Sequence, residues 1–304
     1  MYISDFPGLF TGILLDCIEL CKTDKIFFTL TIKAENSFSI EIDTQADLRS
    51  FIEQFENKQP FPLYFPRILK IVSKDFEFFK QKTTTIQFSI DTSIITDISI
   101  DFMEFIEKTS QIALLNRQSE ILIIDRRQKH HNQLFFHFPQ GVFYAFDRAA
   151  KKSWGQVEIK LHFDEKIEEN HYQIGLAYST DWCPNPNIIT FANDVHTICG
   201  GSLSDGIVEG VYSAFKTYSK KNKLKAMKIT RKKILNGLIV VATVRGKKFE
   251  YGGSFKERLE NEIVKKQAAN IIHNLLLNFL MQEKEITTKF FNRFDKNNIG
   301  SIMF

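Results

Sequence analysis

Glycine is scarce in this chain, and its distribution matters more than its total. Only 14 of 304 residues are glycine, and none lies between Gly12 and Gly141. Loops that cradle phosphate need glycine, so that backbone N–H groups can approach the ligand and adopt positive φ. A P-loop, a dinucleotide-binding fingerprint and a kinase-type lid are therefore excluded from that span. In the second half the only paired glycines are Gly200-Gly201 and Gly252-Gly253. Cysteine is equally sparse. Cys17 and Cys21 are one helical turn apart, and Cys183, His196 and Cys199 form a loose second group. Neither set has a C-x2-C knuckle or a matching second pair, so no metal site is expected and the cysteines read as small buried hydrophobes. The N-terminus lacks a basic n-region and a long apolar run, which points to reduced thiols and a cytoplasmic location. The most apolar stretch, around residues 271–280, is interrupted by His273, Asn274 and Asn278, so no membrane span is expected.

Charge of either sign is also modest, with a formal net value of +4. A basic face would have to be local. Residues 216–233 supply one: Lys216, Lys220, Lys221, Lys223, Lys225, Lys228, Arg231, Lys232 and Lys233, with no acid among them. Such a run can neutralise DNA phosphates, with affinity that falls as salt rises. Its plain alternative is a solvated loop and helix end. Tyr218 is its only aromatic residue, so base stacking is not indicated.

Periodicity predicts a helix over residues 8–19, two strands within residues 25–43 joined by a turn at residues 34–37, and a helix over 47–56. The Pro-rich residues 59–66 read as a loop. Strands are expected at 68–79 and 84–90, a helix at 100–116, a strand at 120–125 and a polar turn at 128–132. Texture changes near Ser153. Beyond it strands are expected at 156–163, 172–179 and 188–191, then a helix at about 204–220, a strand at 237–245 and a long helix from about 257 to 282. These divisions give two domains, 1–152 and 153–304, in an α+β chain.

Four ordered segments in the second half resemble the B-subunit family of DNA gyrase and topoisomerase IV, the type IIA topoisomerases. Residues 190–202, TFANDVHTICGGS, resemble F-x-N-N-I-x-T-x-E-G-G-T-H. Residues 174–181, IGLAYSTD, resemble the strand before it. Residues 235–244, LNGLIVVATV, resemble R-E-G-L-x-A-V-x-S-V, and residues 255–259, FKERL, fall where the family has Q-T-K-x-K-L. Fainter matches precede them. MYISD at the start resembles M-Y-I-G-D/S, residues 33–37 the E-D-N-S hairpin, residues 83–91 G-T-x-V-x-F-x-P-D, and residues 113–127 L-A-F-L-N followed by I-x-L-x-D-x-R. The resemblance implies a truncated GHKL-like ATPase domain followed by a ribosomal-S5-domain-2-like transducer with a long C-terminal helix.

It also implies chemistry that the residues do not supply. Phosphoryl transfer needs an orienter for the attacking water, Mg²⁺ and donors around the γ-phosphate. The family takes the base and a metal ligand from one helix as E-x-x-x-N. The matching helix here has Thr11, Ile13 or Leu15 at the base position and contains no Asn. Asp43 stands where the adenine-binding Asp of D-x-G-x-G would, but Thr44-Gln45-Ala46 replaces the glycines, and an Asp at a strand end also serves as a turn residue. Lys256 falls on the lysine of Q-T-K, where a phosphate contact and a solvated surface lysine are both open. No catalytic residue is assigned, and ATP and Mg²⁺ are expected only if the pocket is retained. The family's TOPRIM motifs, E-G-D-S and D-x-D, do not occur. Two readings follow. One is an ATPase-inactive module bound to DNA or to topoisomerase subunits, a gyrase A-like chain among them. The other is a component of a split ATP-dependent topoisomerase.

Overall fold

The computed structural model describes residues 12, 14, 15, 18, 26–34, 37–44, 69–77, 83–90, 102–127, 132–153, 155–180, 186–222, 230–253 and 257–292. The chain divides into two compact units between Gly141 and Val142.

The first unit is a six-stranded sheet in the order β3-β4-β2-β1-β5-β6. Its strands are β1 (Ile26–Ala34), β2 (Ser37–Thr44), β3 (Leu69–Glu77), β4 (Thr83–Ile90), β5 (Ser119–Asp125) and β6 (Asn132–Phe136). β1 lies at the centre, antiparallel to β2 and parallel to β5. It is buried along Phe28–Ile32, as a central strand with both neighbours in place should be. β5 alternates instead, with Ile121 and Ile123 inward, so only one of its faces meets the core. The helix before it, α1 (Phe102–Leu115), turns Phe105, Ile112 and Ala113 inward. Asn116 closes the turn by donating from both its backbone N and its Nδ2 to Ile112 O, at 3.0 and 2.9 Å. At the far end of β5, Arg127 grips Asp125 through Nε at 3.0 Å and Nη2 at 2.8 Å. That bidentate clamp accounts for the D-x-R spacing in chain-local terms.

The second unit is a five-stranded sheet in the order β10-β9-β11-β8-β7. Its strands are β7 (Val157–Ile167), β8 (Asn170–Ser179), β9 (Asn187–Ala192), β10 (Val195–His196) and β11 (Leu238–Arg245). β9 and β11 are parallel and the other pairs antiparallel. A separate ribbon pairs β12 (Tyr251–Gly252) with β13 (Arg258–Leu259). Among the described residues five helices accompany the sheet: α2 (Val142–Lys152), α3 (Ser202–Lys221), α4 (Arg231–Leu235), α5 (Glu262–Gln282) and α6 (Lys284–Asn292). Residues 172, 174, 176 and 178 of β8 and 238, 240, 242 and 244 of β11 face the core under α3, α5 and α6. α2 packs on the same two strands. Helices therefore serve both faces, and β8 is buried continuously from Tyr172 to Ser179.

α3 and α5 touch backbone to backbone. A Cβ at Gly206 would lie 2.4 Å from Lys265 O, and one at Gly210 would lie 2.5 Å from Ala269 O. Two glycines one turn apart give α3 a flat stripe on which α5 rests.

At the C-terminal end of β8, Tyr178 donates its hydroxyl to Ile234 O at 2.9 Å while fully buried, and burial holds its phenol well above the usual range. Tyr178→Phe leaves that carbonyl without its donor. The expected loss is about 1–2 kcal/mol in a urea titration, and an unchanged midpoint would show that the bond is not used.

The structure corrects several expectations. α2 is a helix that periodicity does not reveal, and it lies between the sequence-drawn line at 152 and the division by contacts at Gly141. Of the turn assigned to 128–132, Asn132 is the first residue of β6, and residues 128–131 lie outside the described residues. The long helix begins at Glu262 instead of 257, because Arg258-Leu259 pairs as a strand and Asn261 Oδ1 caps the helix by accepting from Val264 N at 3.2 Å. Cys199 is a free, exposed thiol at a surface turn instead of a buried hydrophobe. The expected helix at 47–56, the loop at 59–66, and Cys17, Cys21 and Cys183 lie outside the described residues.

Candidate functional site

Three places carry the functional question: the helix and strand of the first unit where nucleotide chemistry would sit, the double-glycine turn of the second, and the basic stretch.

In the first, Gly12, Leu14, Leu15 and Ile18 are helical. Leu14 and Ile18 are buried and Leu15 half-buried. A side chain of this kind cannot polarise water, so Leu15 fails as a base. Thr11 and Ile13, the other candidate positions, lie outside the described residues. Asp43 sits one residue before the end of β2, paired with Phe27 on β1 and Thr83 on β4. The register thus sets Asp43, near the end of β2, opposite Thr83, where β4 begins.

The second place explains why GG survives. Gly200 has φ +71° and Gly201 φ +113°. A Cβ on Gly201 would sit 2.2 Å from Leu259 O. Through that contact the chain entering α3 bridges to β13. Leu259 N donates to Gly200 O at 3.2 Å and Cys199 N to Glu257 O at 3.0 Å. Asn261 N donates to Ser202 Oγ at 2.6 Å. Arg258 spans the turn, donating to Cys199 O at 3.2 Å and to Asp205 at 3.0 Å. Lys256 is outside the described residues; Glu257, the residue after it, belongs to this knot through its carbonyl.

Around the third place, Lys220 and Lys221 end α3, and Arg231, Lys232 and Lys233 form most of α4. Lys223, Lys225 and Lys228 lie outside the described residues. Lysines in the last turn complement the negative end of the helix dipole. The residue that joins the two helices is one that the sequence reading misses. Tyr212 lies under Lys216 Nζ at 5.8 Å and under the Arg231 guanidinium at 5.7 Å. Half of its signal is available as the i, i+4 spacing of Tyr212 and Lys216 on one helix.

Among the described residues no His/Cys/Asp/Glu cluster could hold a metal ion. No described helix is long and apolar enough to cross a membrane, which leaves a β-barrel unaddressed.

The fold is similar to solved ATPase regions of gyrase B. The 43K ATPase domain of Thermus thermophilus gyrase B superposes with a TM-score of 0.75 at 16% identity, covering 95% of this chain and 88% of that one. The structure of the gyrase B chain from Myxococcus xanthus gives 0.71 at 14% identity, over 94% and 93%. A family model for DNA gyrase B matches residues 142–298, almost the whole second unit, and the chain belongs to that family. The DNA gyrase B protein of Streptococcus pneumoniae serotype 4 is 25% identical over 210 residues, 68% of this chain and 32% of the relative. That of Spiroplasma citri is 27% identical over 214 residues, 68% and 33%. The chain thus spans about a third of the length of the curated relatives it matches.

Proposed function

We propose that this chain is an ATPase-inactive member of the gyrase B family that works as a binding module, with its second unit serving as a transducer-like domain. The observation that carries this reading is the set of helical residues Leu14, Leu15 and Ile18, all apolar, of which Leu14 and Ile18 are buried. The glycine-free span from 13 to 140 supports it, since no lid can form there. Asp43 and Lys256 then stand as remnants of ATP contacts, and neither ATP nor Mg²⁺ is required. The binding partners are DNA, through Lys220, Lys221, Lys223, Lys225, Lys228, Arg231, Lys232 and Lys233, and topoisomerase subunits such as a gyrase A-like chain. The setting is the cytoplasm.

The test is duplex DNA binding and ADP release measured on the same preparation, with and without ATP and Mg²⁺. The expected result is salt-dependent duplex binding that nucleotide does not alter, and no ADP above background. ATP turnover that disappears on Lys256→Ala would overturn the inactive reading.

The intact knot around Gly200-Gly201 favours a second reading, a component of a split ATP-dependent topoisomerase. It requires ATP-dependent relaxation or supercoiling once a gyrase A-like chain and a TOPRIM-bearing chain are added. Its absence in every combination would rule that reading out.

A further inference from the structure

Two cations stand over one ring in the second unit. Lys216 and Arg231 are both exposed, and both approach Tyr212, one from the same helix and one from α4. A cation over an aromatic face is attracted by the ring quadrupole, but two cations over one ring also repel each other. A carboxylate between them would normally relieve this, and α3 contains two acids, Asp205 and Glu209. Both are committed elsewhere, Asp205 to Arg258 at 3.0 Å and Glu209 to Lys265 at 3.8 Å. Neither Lys216 nor Arg231 has a salt bridge to a described residue, and from Val211 to Lys221 α3 has no acid at all. Among the described residues, no anion forms an ion pair with either cation.

We infer that Lys216, Tyr212 and Arg231 form a fixed two-cation cradle for adjacent phosphates of a duplex DNA backbone. This rests on the DNA-binding reading above and deepens it by naming the residues that organise the contact. Tyr212 is a positioning residue: it carries no charge to DNA, and it fixes where the two charges stand. Arginine supplies a fork suited to phosphate, and lysine a point charge. The ring is engaged with the two cations and is not free to stack a base, so the contact reads backbone and not sequence. Lys220, Lys221, Lys232 and Lys233 flank the cradle along the same two helices and extend it.

The experiment measures binding of the full chain to a short fluorescent duplex by anisotropy, over a series of salt concentrations. The expected result is that K216A/R231A weakens binding about tenfold and lowers the magnitude of the log–log salt slope by about two, one per phosphate contact released. Tyr212→Phe, which keeps the ring, should bind as the parent does. Tyr212→Leu should weaken binding severalfold with both charges still present, and melting curves confirm that each variant is folded. If K216A/R231A and Tyr212→Leu bind like the parent while changing Lys220, Lys221, Lys232 and Lys233 abolishes binding, the cradle is refuted and the DNA reading stands. If the parent binds no duplex at low salt, both fall. If it binds polyglutamate as tightly as DNA of equal charge, the site serves an acidic protein segment and the DNA assignment is overturned.

Discussion

Gly201→Ala is expected to unfold the second unit or to cost at least about 3 kcal/mol, the range in which buried clashes and backbone strain act together. Both effects operate at this residue. Its φ of +113° is one that alanine seldom adopts, and the added carbon would lie 2.2 Å from Leu259 O and 2.7 Å from Leu259 N. Both are backbone atoms of a paired strand, so no side-chain rotation can relieve the contact. The neighbour provides the control. Gly200 has φ +71°, and its Cβ would meet only Ser204 Oγ at 2.7 Å and the Cβ behind it, the end of a side chain that can rotate. Gly200→Ala should therefore cost only about 1–2 kcal/mol, the strain of a left-handed residue. Urea midpoints of the two variants check this, and equal losses would show that the Leu259 contact is not the reason for the second glycine.

Phe290→Ala should cost about 3–5 kcal/mol, as removal of a buried ring does. Phe290 stacks on Phe215 at 5.2 Å and meets Tyr178 edge-on at 4.8 Å. Phe291 meets Phe215 and Tyr218 beside it. These two rings and buried Thr287, whose hydroxyl donates to Leu280 O at 3.2 Å, anchor α6 in the core. The loss should be local first. Amides of Lys284–Asn292 should exchange much faster in the variant while those of α3 keep their protection. Uniform acceleration throughout the unit would contradict this division, and so would no acceleration in α6.

Central strands are legible in the sequence because their burial leaves a mark. KIFFTLTIK alternates poorly and is apolar for most of its length, as a strand between two neighbours must be, and β8 and β11 read the same way. Elements whose order comes from partners are harder to see. β6 has four exposed residues and one buried, so NQLFF carries no period. α2 is short and rich in aromatics, which favour a strand as readily as a helix, and it is fixed as a helix by packing on β8 and β11. The start of α5 is easily misplaced because Glu257 and Arg258 are good helix formers, yet the pairing of β13 with β12 takes precedence over that propensity. The same contrast holds at the candidate sites. Missing glycines and missing carboxylates are read directly from residue identity. The convergence of Lys216 and Arg231 on Tyr212 depends on how α4 returns to α3, and no local pattern encodes that return.

The glycine stripe on α3 has a mechanical consequence. Because Gly206 and Gly210 let the backbones of α3 and α5 lie in direct contact, no compliant side chain of α3 separates the two helices at those two turns, and there is little room to slide. Tension applied at the Gln282 end of α5 is therefore borne along the whole helix pair and arrives at the Gly200-Gly201 turn, where α3 begins. The pair behaves as a strut, and the knot around Leu259 is its joint.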